Sequence, residues 1–452
     1  MLESQGDVGQ LTKFPRSKKP SMTLPEPIRL AASACIYDLY PKWMTQSLID
    51  QRRTVRPRGK DSSTIATEFY RGIRTVGNFH AVVNKSDYIY HLADAIRMHE
   101  PKLIGHMAIP GSSSEIQVER LVIGWLRFIE AHHSKKDLEA AIRETLENFS
   151  SILYSERIPL RIITTLSGLS LPDDINEIQL EKNLILRKLR EEELIELSSN
   201  DILGSSLHSH IDNRITTCIE KLTEMPVRFS SDPTPLPHQD LDMHEEVLGL
   251  LIALHILKPG SADVFLTSPF TDGAALDLGI SGYSHPLYRL PRASFEFDVL
   301  DLEEFHSIYT AVHECTRNEV IIAAGRLLDS EHRSSAVDAL LDSVIGLEVL
   351  LNPIDYGELS FRVAMNYAYL GEPQQRRQRY EKLKGVQSTR NKVVHGGLNI
   401  NSPNASVIPE NAEIARDCLR DTLKHFLFDK TLKDGPKKLS ADFWLDRMLP
   451  PV

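Results

Sequence analysis

The chain has 452 residues, more than one ordinary hydrophobic core organises, so two or three folded units are expected. It is 41% hydrophobic and 25% charged, the balance of a soluble globular protein. Its formal net charge of −10 excludes a protein that coats nucleic acid indiscriminately, because phosphate affinity comes largely from Lys and Arg. Any nucleic-acid contact has to be local.

The first segment, about residues 1–24, lacks the apolar core of a signal peptide and reads as a flexible tail. From about 25 to 150 the pattern is mainly helical, with clear patches at Ser62–Val76, Asp87–Met98 and Glu115–Ile129. Between the first helical stretch and the next lies the most basic segment, Gln51–Lys60, where Pro57 and Gly59 mark a loop. Its Arg52, Arg53, Arg56 and Arg58 are either solvated or a contact for an RNA backbone. From 151 to 300 the pattern becomes mixed. Strands are expected at Ile158–Leu166, Glu177–Leu186, Pro226–Ser230, Ala262–Ser268 and Ser294–Leu300, with helices at Arg190–Leu197 and Met243–Leu257 and a turn-rich stretch at Asp272–Pro291.

After Leu300 the strand signal disappears. Asp301–Ser330 reads as one long helix or two collinear ones. Ser335 with Asp338 forms a helix start that ends near Asn352–Pro353. A third helix, Glu358–Leu370, is stopped by Gly371 and Pro373, and a fourth, Pro373–His395, by Gly396–Gly397. Pro409 opens a fifth. The expected architecture is therefore an α+β region over 25–300, divided near 150, followed by an all-α bundle over 301–430 and a tail over 431–452.

Cys35, Cys218, Cys315 and Cys418 lie far apart with no CxxC pair, as free thiols of a reducing compartment do. No apolar run approaches the roughly 18 residues that span a bilayer, so a cytoplasmic protein without membrane partners is expected. There is neither a GxxxxGK[ST] loop nor a GxGxxG after a strand, and no cofactor is expected.

Three positions in the helical region can carry chemistry. Glu348 falls inside the apolar stripe of its helix, where an unpaired charge is costly, so a cation is required nearby. Arg362 on the next helix is the first choice; the two form a buried ion pair that sets register, or they support a site. Arg390 and His395 close the fourth helix. They either cap its last carbonyls or act chemically, and five residues separate them by about 140° around the axis. Asn391 shares a face with His395 more cleanly, and Lys392 adds a further cation. No acidic or His/Cys cluster with metal-ligand spacing lies near these residues, so no metal is expected there.

The run Arg390-Asn391-Lys392-Val393-Val394-His395-Gly396 resembles the R-x4–6-H motif of HEPN-domain proteins. Ala339–Leu351, Glu358–Ala364 and Leu383–Gly397, in that order, are similar in more detail to the Apea-like HEPN family. The resemblance covers about 130 residues and leaves 25–300 unrecognised. It implies a metal-independent endoribonuclease that cuts RNA through its own 2′-hydroxyl. Such a reaction needs a base, an acid and positive charge for the phosphorane; His titrates near neutrality, and Arg presents a charged fork to phosphate. One chain has one such His, so the resemblance implies a homodimer or higher oligomer with a composite site. It assigns catalysis to Arg390, His395 and Asn391, support to Glu348 and Arg362, and RNA binding to Lys392 with Arg52, Arg53, Arg56 and Arg58. HEPN toxins paired with a nucleotidyltransferase antitoxin often carry Tyr two residues after the His; here Gly397 stands there. Residues 25–300 would then sense a trigger ligand or protein in a defence or stress response. The alternative is a non-catalytic HEPN scaffold or a regulatory RNA-binding protein.

Overall fold

The computed structural model describes residues 23–54, 86–133, 137–190, 193, 216–237, 243–271, 273–276, 283–284, 295–352, 359–398, 406–433 and 444. It has a mixed α/β N-terminal half and a helical C-terminal region. The expected helix at Ser62–Val76, most of Arg190–Leu197 and of Asp272–Pro291, and nearly all of the two tails lie outside the described residues.

The N-terminal half opens with helices α1 (Glu26–Thr54), α2 (Asp87–His99), α3 (Val118–His133) and α4 (Leu138–Ser155). Their apolar faces meet in one core, where Trp125 and Phe149 pack edge to face with centroids 5.3 Å apart. Helix α1 runs through Thr54, so Arg52 and Arg53 belong to its last turn and not to a loop; Arg56 and Arg58 lie outside the described residues. Glu115 is not helical either. It ends β2 (Ser112–Glu115), which pairs with β1 (His106–Ile109), and β1 pairs in turn with β8 (Arg228–Ser230).

The main sheet has six strands in the order β10-β9-β3-β7-β6-β5, with antiparallel pairing throughout. Its centre is β3 (Arg157–Ser167), flanked by β7 (Thr217–Pro226) and β9 (Asp263–Phe270), with β10 (Tyr283–Ser284) at the far edge. The single strand expected over Glu177–Leu186 is a hairpin, β5 (Glu177–Glu181) and β6 (Leu184–Lys188), turned at Lys182–Asn183. The strand expected at Ser294–Leu300 shrinks to β11 (Phe295–Glu296), which pairs in parallel with β4 (Leu169–Ser170).

Alternation along the strands gives the sheet two different faces. One, with Leu160, Ile162, Leu186 and Ile219, joins the main core. The other carries Ile163, Cys218 and Phe270 beside a buried ionic quartet. There Arg161 meets Glu193 at 2.8 Å and Glu220 at 3.2 Å, and Arg187 pairs with the same two carboxylates. Every charge has an opposite partner, the condition under which burial of four ions is tolerable.

Helix α5 (His244–Leu257) connects the halves. Val247 and every residue from Gly249 to Leu257 are buried, and a helix apolar on all sides has to be covered on all sides. The sheet covers one side, where Thr164 Oγ1 donates to Met243 Sδ and Lys221 pairs with Glu246. The rest is covered by α6 (Leu302–His313), α7 (Asn318–His332) and α11 (Val407–Phe428). The expected helix at Asp301–Ser330 is therefore two helices, α6 and α7, broken at Glu314–Arg317. The bundle is completed by α8 (Ala336–Leu351), α9 (Leu359–Leu370) and α10 (Arg376–Val394), with a short α12 (Lys430–Lys433) after α11.

The carbonyls that end α5 have no partner within the helix. Arg420 Nε donates to the His255 carbonyl at 2.8 Å, and Lys424 Nζ donates to the Leu257 carbonyl at 3.2 Å. Both cations also sit at the negative end of the helix dipole. Arg420 is held from behind by Glu331, which also faces Arg416 at 3.6 Å.

His255 itself is fully buried at this junction. Its Nδ1 lies 2.7 Å from the Leu251 carbonyl, its Nε2 has no hydrogen bond, and its ring meets His332 edge-on at 5.3 Å. Burial first, then the neighbouring His332, push its pKa down to about 3. A histidine depressed in the fold takes up its proton only on unfolding, so stability is lost as pH falls below the unfolded value near 6.5. His255→Leu should remove this dependence. Relative to the wild type, the variant should gain about 2 kcal/mol between pH 7 and pH 5, measured by denaturant unfolding at each pH. Parallel stability curves for the two proteins would show that His255 is already charged or solvated.

Candidate functional site

Helix α10 determines the geometry. Leu383, Val386 and Gln387 are buried on one stripe, and Arg390 stands seven residues after Leu383 on the same stripe. That position turns its guanidinium inward toward α8 and α9. The helix then stops at Gly396, whose φ of +73° is the left-handed conformation that favours glycine. The Gly397 and Leu398 amides donate back to the Lys392 carbonyl at 2.7 and 3.1 Å, and Leu398 is buried behind the stop. His395 is the last residue before this turn, with its ring exposed and, among the described residues, unpartnered.

Around Arg390 the structure gathers residues from three helices. Nη1 donates to Asn391 Oδ1 at 3.1 Å, and Nη2 lies 3.8 Å from Glu348 Oε1. Asn391 Nδ2 donates to Ser360 Oγ, which donates to Gln387 Oε1, each at 3.4 Å. Glu348 therefore has the neighbouring cation that its helix face demands, but the cation is Arg390. The expected partner Arg362 is half-buried on α9, and the cation at ion-pair distance from Glu348 is Arg390 on α10. Position on a stripe does not decide at which level two neighbouring helices cross the carboxylate, and both arginines were available to it.

The Glu348–Arg390 contact is loose. At 3.8 Å it is an ion pair without a hydrogen bond, and Glu348 Oε1 is buried with no donor among the described residues. Burial accordingly raises the Glu348 pKa above the usual carboxylate range, and Arg390 only partly offsets it. Gln387 is likewise buried with its Nε2 unpaired. A guanidinium held on one side by an amide and on the other by an unbonded carboxylate can exchange that carboxylate for another anion.

Sequence reasoning passed over Ser360 and Gln387. The signal for Gln387 was present, since it is an amide in a stripe of Leu and Val; Ser360 carried none. Lys392 is exposed on the far side of α10. Arg52 and Arg53 lie at the end of α1, in the N-terminal half. Among the described residues, no group of three or more His, Cys, Asp or Glu is placed to hold a metal ion, and no helix is long and apolar enough to cross a membrane.

Comparison with family models, with curated proteins and with solved structures finds no match for this chain. The site has to be understood from its own geometry.

Glu348→Gln tests how loose the contact is. A carboxyl whose folded pKa is raised costs stability once ionised, so wild-type stability should fall as pH climbs from the usual carboxylate range through the raised value. The glutamine variant lacks this fall and should match or exceed the wild type at pH 7, within about 1 kcal/mol, in denaturant unfolding. A loss of several kcal/mol at pH 7 would instead reveal a strong pair.

Proposed function

We propose that the helical C-terminal region is an HEPN-type endoribonuclease, and that residues 25–300 regulate it, as in a defence or stress effector. The observation that carries this reading is the pair of side chains that the end of α10 presents. A half-buried arginine is positioned by Asn391 and Glu348, and five residues later an exposed, unpartnered histidine stands at the helix stop. The proposed substrate is RNA, cut without a metal. The 2′-oxygen attacks the adjacent phosphorus while a base takes its proton, and the 5′-oxygen leaves with a proton from an acid. The products are a 2′,3′-cyclic phosphate and a 5′-hydroxyl. Arg390 would release Glu348 and place its fork on the phosphate, where it stabilises the charge that develops. Asn391 would keep that fork in register.

His395 can be base or acid in one chain, not both at once. A second copy would supply the other histidine across a twofold axis. Support comes from two apolar side chains that are exposed beside the site residues. Ile345 is one turn before Glu348 and 38% exposed; Val394 is one turn after Arg390 and 51% exposed. The rival reading, a helical scaffold without catalysis, is favoured by one fact: both terminal nitrogens of Arg390 already face protein groups.

The decisive experiment is cleavage of labelled RNA by the full chain in EDTA, with the termini mapped. Cyclic phosphate and 5′-hydroxyl ends are expected, with a loss of about 10²- to 10⁴-fold in His395→Ala. Arg390→Ala should be similarly impaired, and Arg390→Lys should recover only part, because an ammonium binds phosphate as a point charge. Products with 5′-phosphates, or activity that needs an added divalent ion, would overturn the mechanism. For the assembly, sedimentation at micromolar concentration should show at least a dimer. Val394→Glu should lower both the mass and the activity; an active monomer contradicts the composite site.

A further inference from the structure

Charge is distributed unevenly in this chain. Against a net charge of −10 overall, α10 alone carries seven basic residues and one glutamate. Three of the seven are engaged with the bundle. Arg376 lies over the Tyr369 ring, Arg379 lies over the Tyr367 ring and pairs with Asp421, and Arg390 belongs to the site above. The other four, Arg377, Lys382, Lys384 and Lys392, are exposed.

Their placement is ordered. At about 100° per residue, Arg377, Glu381, Lys384, Ser388, Lys392 and His395 fall on one face of the helix. Among the described residues, only Arg377 has an ion pair on this stripe, with Glu381 at 3.0 Å, and it is too exposed to hold either charge firmly. Lys384 and Lys392 have no carboxylate partner among the described residues, and about 12 Å of helix separates them. Beside Lys384 stands an aromatic pair. Its ammonium lies 5.5 Å from the Tyr380 ring centroid, and Tyr380 meets Phe361 edge-on at 6.0 Å. Phe361 is 49% exposed, and its neighbour Ser360 belongs to the Arg390 network. Next to Lys384 is Gly385, where an added Cβ would meet nothing within 4 Å. Packing does not require a glycine there, and a glycine inside a helix costs about 1 kcal/mol relative to alanine. What it provides is bare backbone that a ligand can approach closely.

We infer that this face of α10, together with the Phe361–Tyr380 pair, is a track for single-stranded RNA that ends at His395. Phosphates lie along Lys384 and Lys392, and an unpaired base stacks on Phe361. Cations interleaved with an exposed aromatic suit a strand whose bases are free, whereas a duplex keeps its base faces stacked inside. The track deepens the nuclease reading and rests on it for what happens at its end; binding along it is measurable by itself.

The test is anisotropy of a fluorescent twelve-nucleotide single-stranded RNA with the full-length His395→Ala protein, titrated across salt concentrations. In that background, Lys384→Glu with Lys392→Glu should weaken binding more than tenfold at low salt. The slope of log affinity against log salt should shrink by about 1.4, or about 0.7 for each phosphate no longer neutralised. Phe361→Ala should weaken binding by about 5- to 150-fold and leave the slope alone. Gly385→Gln should raise the melting temperature, as a better helix former, and yet bind less well; a merely structural role would not separate these two readouts. A duplex of the same sequence should compete poorly. Affinity unchanged in the double lysine variant overturns the track. So does competition by polyglutamate equal to that by RNA, which would assign the face to an acidic protein. Tight, lysine-dependent binding without cleavage by the His395-intact protein would sink the nuclease reading and leave the track standing. Cleavage that is indifferent to all four substitutions would do the reverse.

Discussion

The structure depends on the burial of α5 on all sides from Gly249 to Leu257. A helix with leucines and isoleucines on every side has no face to turn toward water, so the sheet and the bundle must both be present for it to fold. Each fully buried Leu or Ile contributes about 1.5–3 kcal/mol, and α5 carries several of them. The end of the same helix needs donors, and the bundle supplies them through Arg420 and Lys424. Apolar contact along its length and charge at its tip therefore join the halves into one core.

The helix whose Arg420 and Lys424 hold the end of α5 also supports the candidate site. α11, which carries Arg420, also packs on α8 and α10, the helices of Glu348 and Arg390. Asp421, next to Arg420 in sequence, holds Arg379 on α10. The position of Arg390 is thus built on a helix whose other face is committed to the N-terminal half. A shift in how α5 seats would reach α11 directly, as it would α6 and α7.

Much of this could be read from residue order, and the exceptions have physical causes. Helices α8, α9 and α11 follow directly from apolar spacing. Ser335 accepts the Asp338 amide at 3.3 Å as its position implies, and the Gly-Gly stop is where α10 ends. The strand Thr217–Pro226 is not legible, because its buried positions include Glu220. Glu220 is buried only because Arg161 and Arg187, on two other strands, are there to meet it. Pairing over such distances along the chain leaves no local pattern. The partner of Glu348 failed for a related reason: the need for a cation is local, but which cation arrives depends on how α9 and α10 pass α8. The run of cations on α10 was visible as composition and became informative only once the structure separated the arginines turned inward from the lysines left outside.

The joint between α5 and α11 also limits how such a protein could be switched on. A protease that cut the chain ahead of α6 would not liberate a finished bundle. The fragment would leave behind the apolar helix that α6, α7 and α11 enclose, and would expose Arg420 and Lys424 with no carbonyls to bind. A piece like that aggregates or stays attached. Control by excision is therefore closed to this architecture, and whatever governs the helical region has to act on the intact chain.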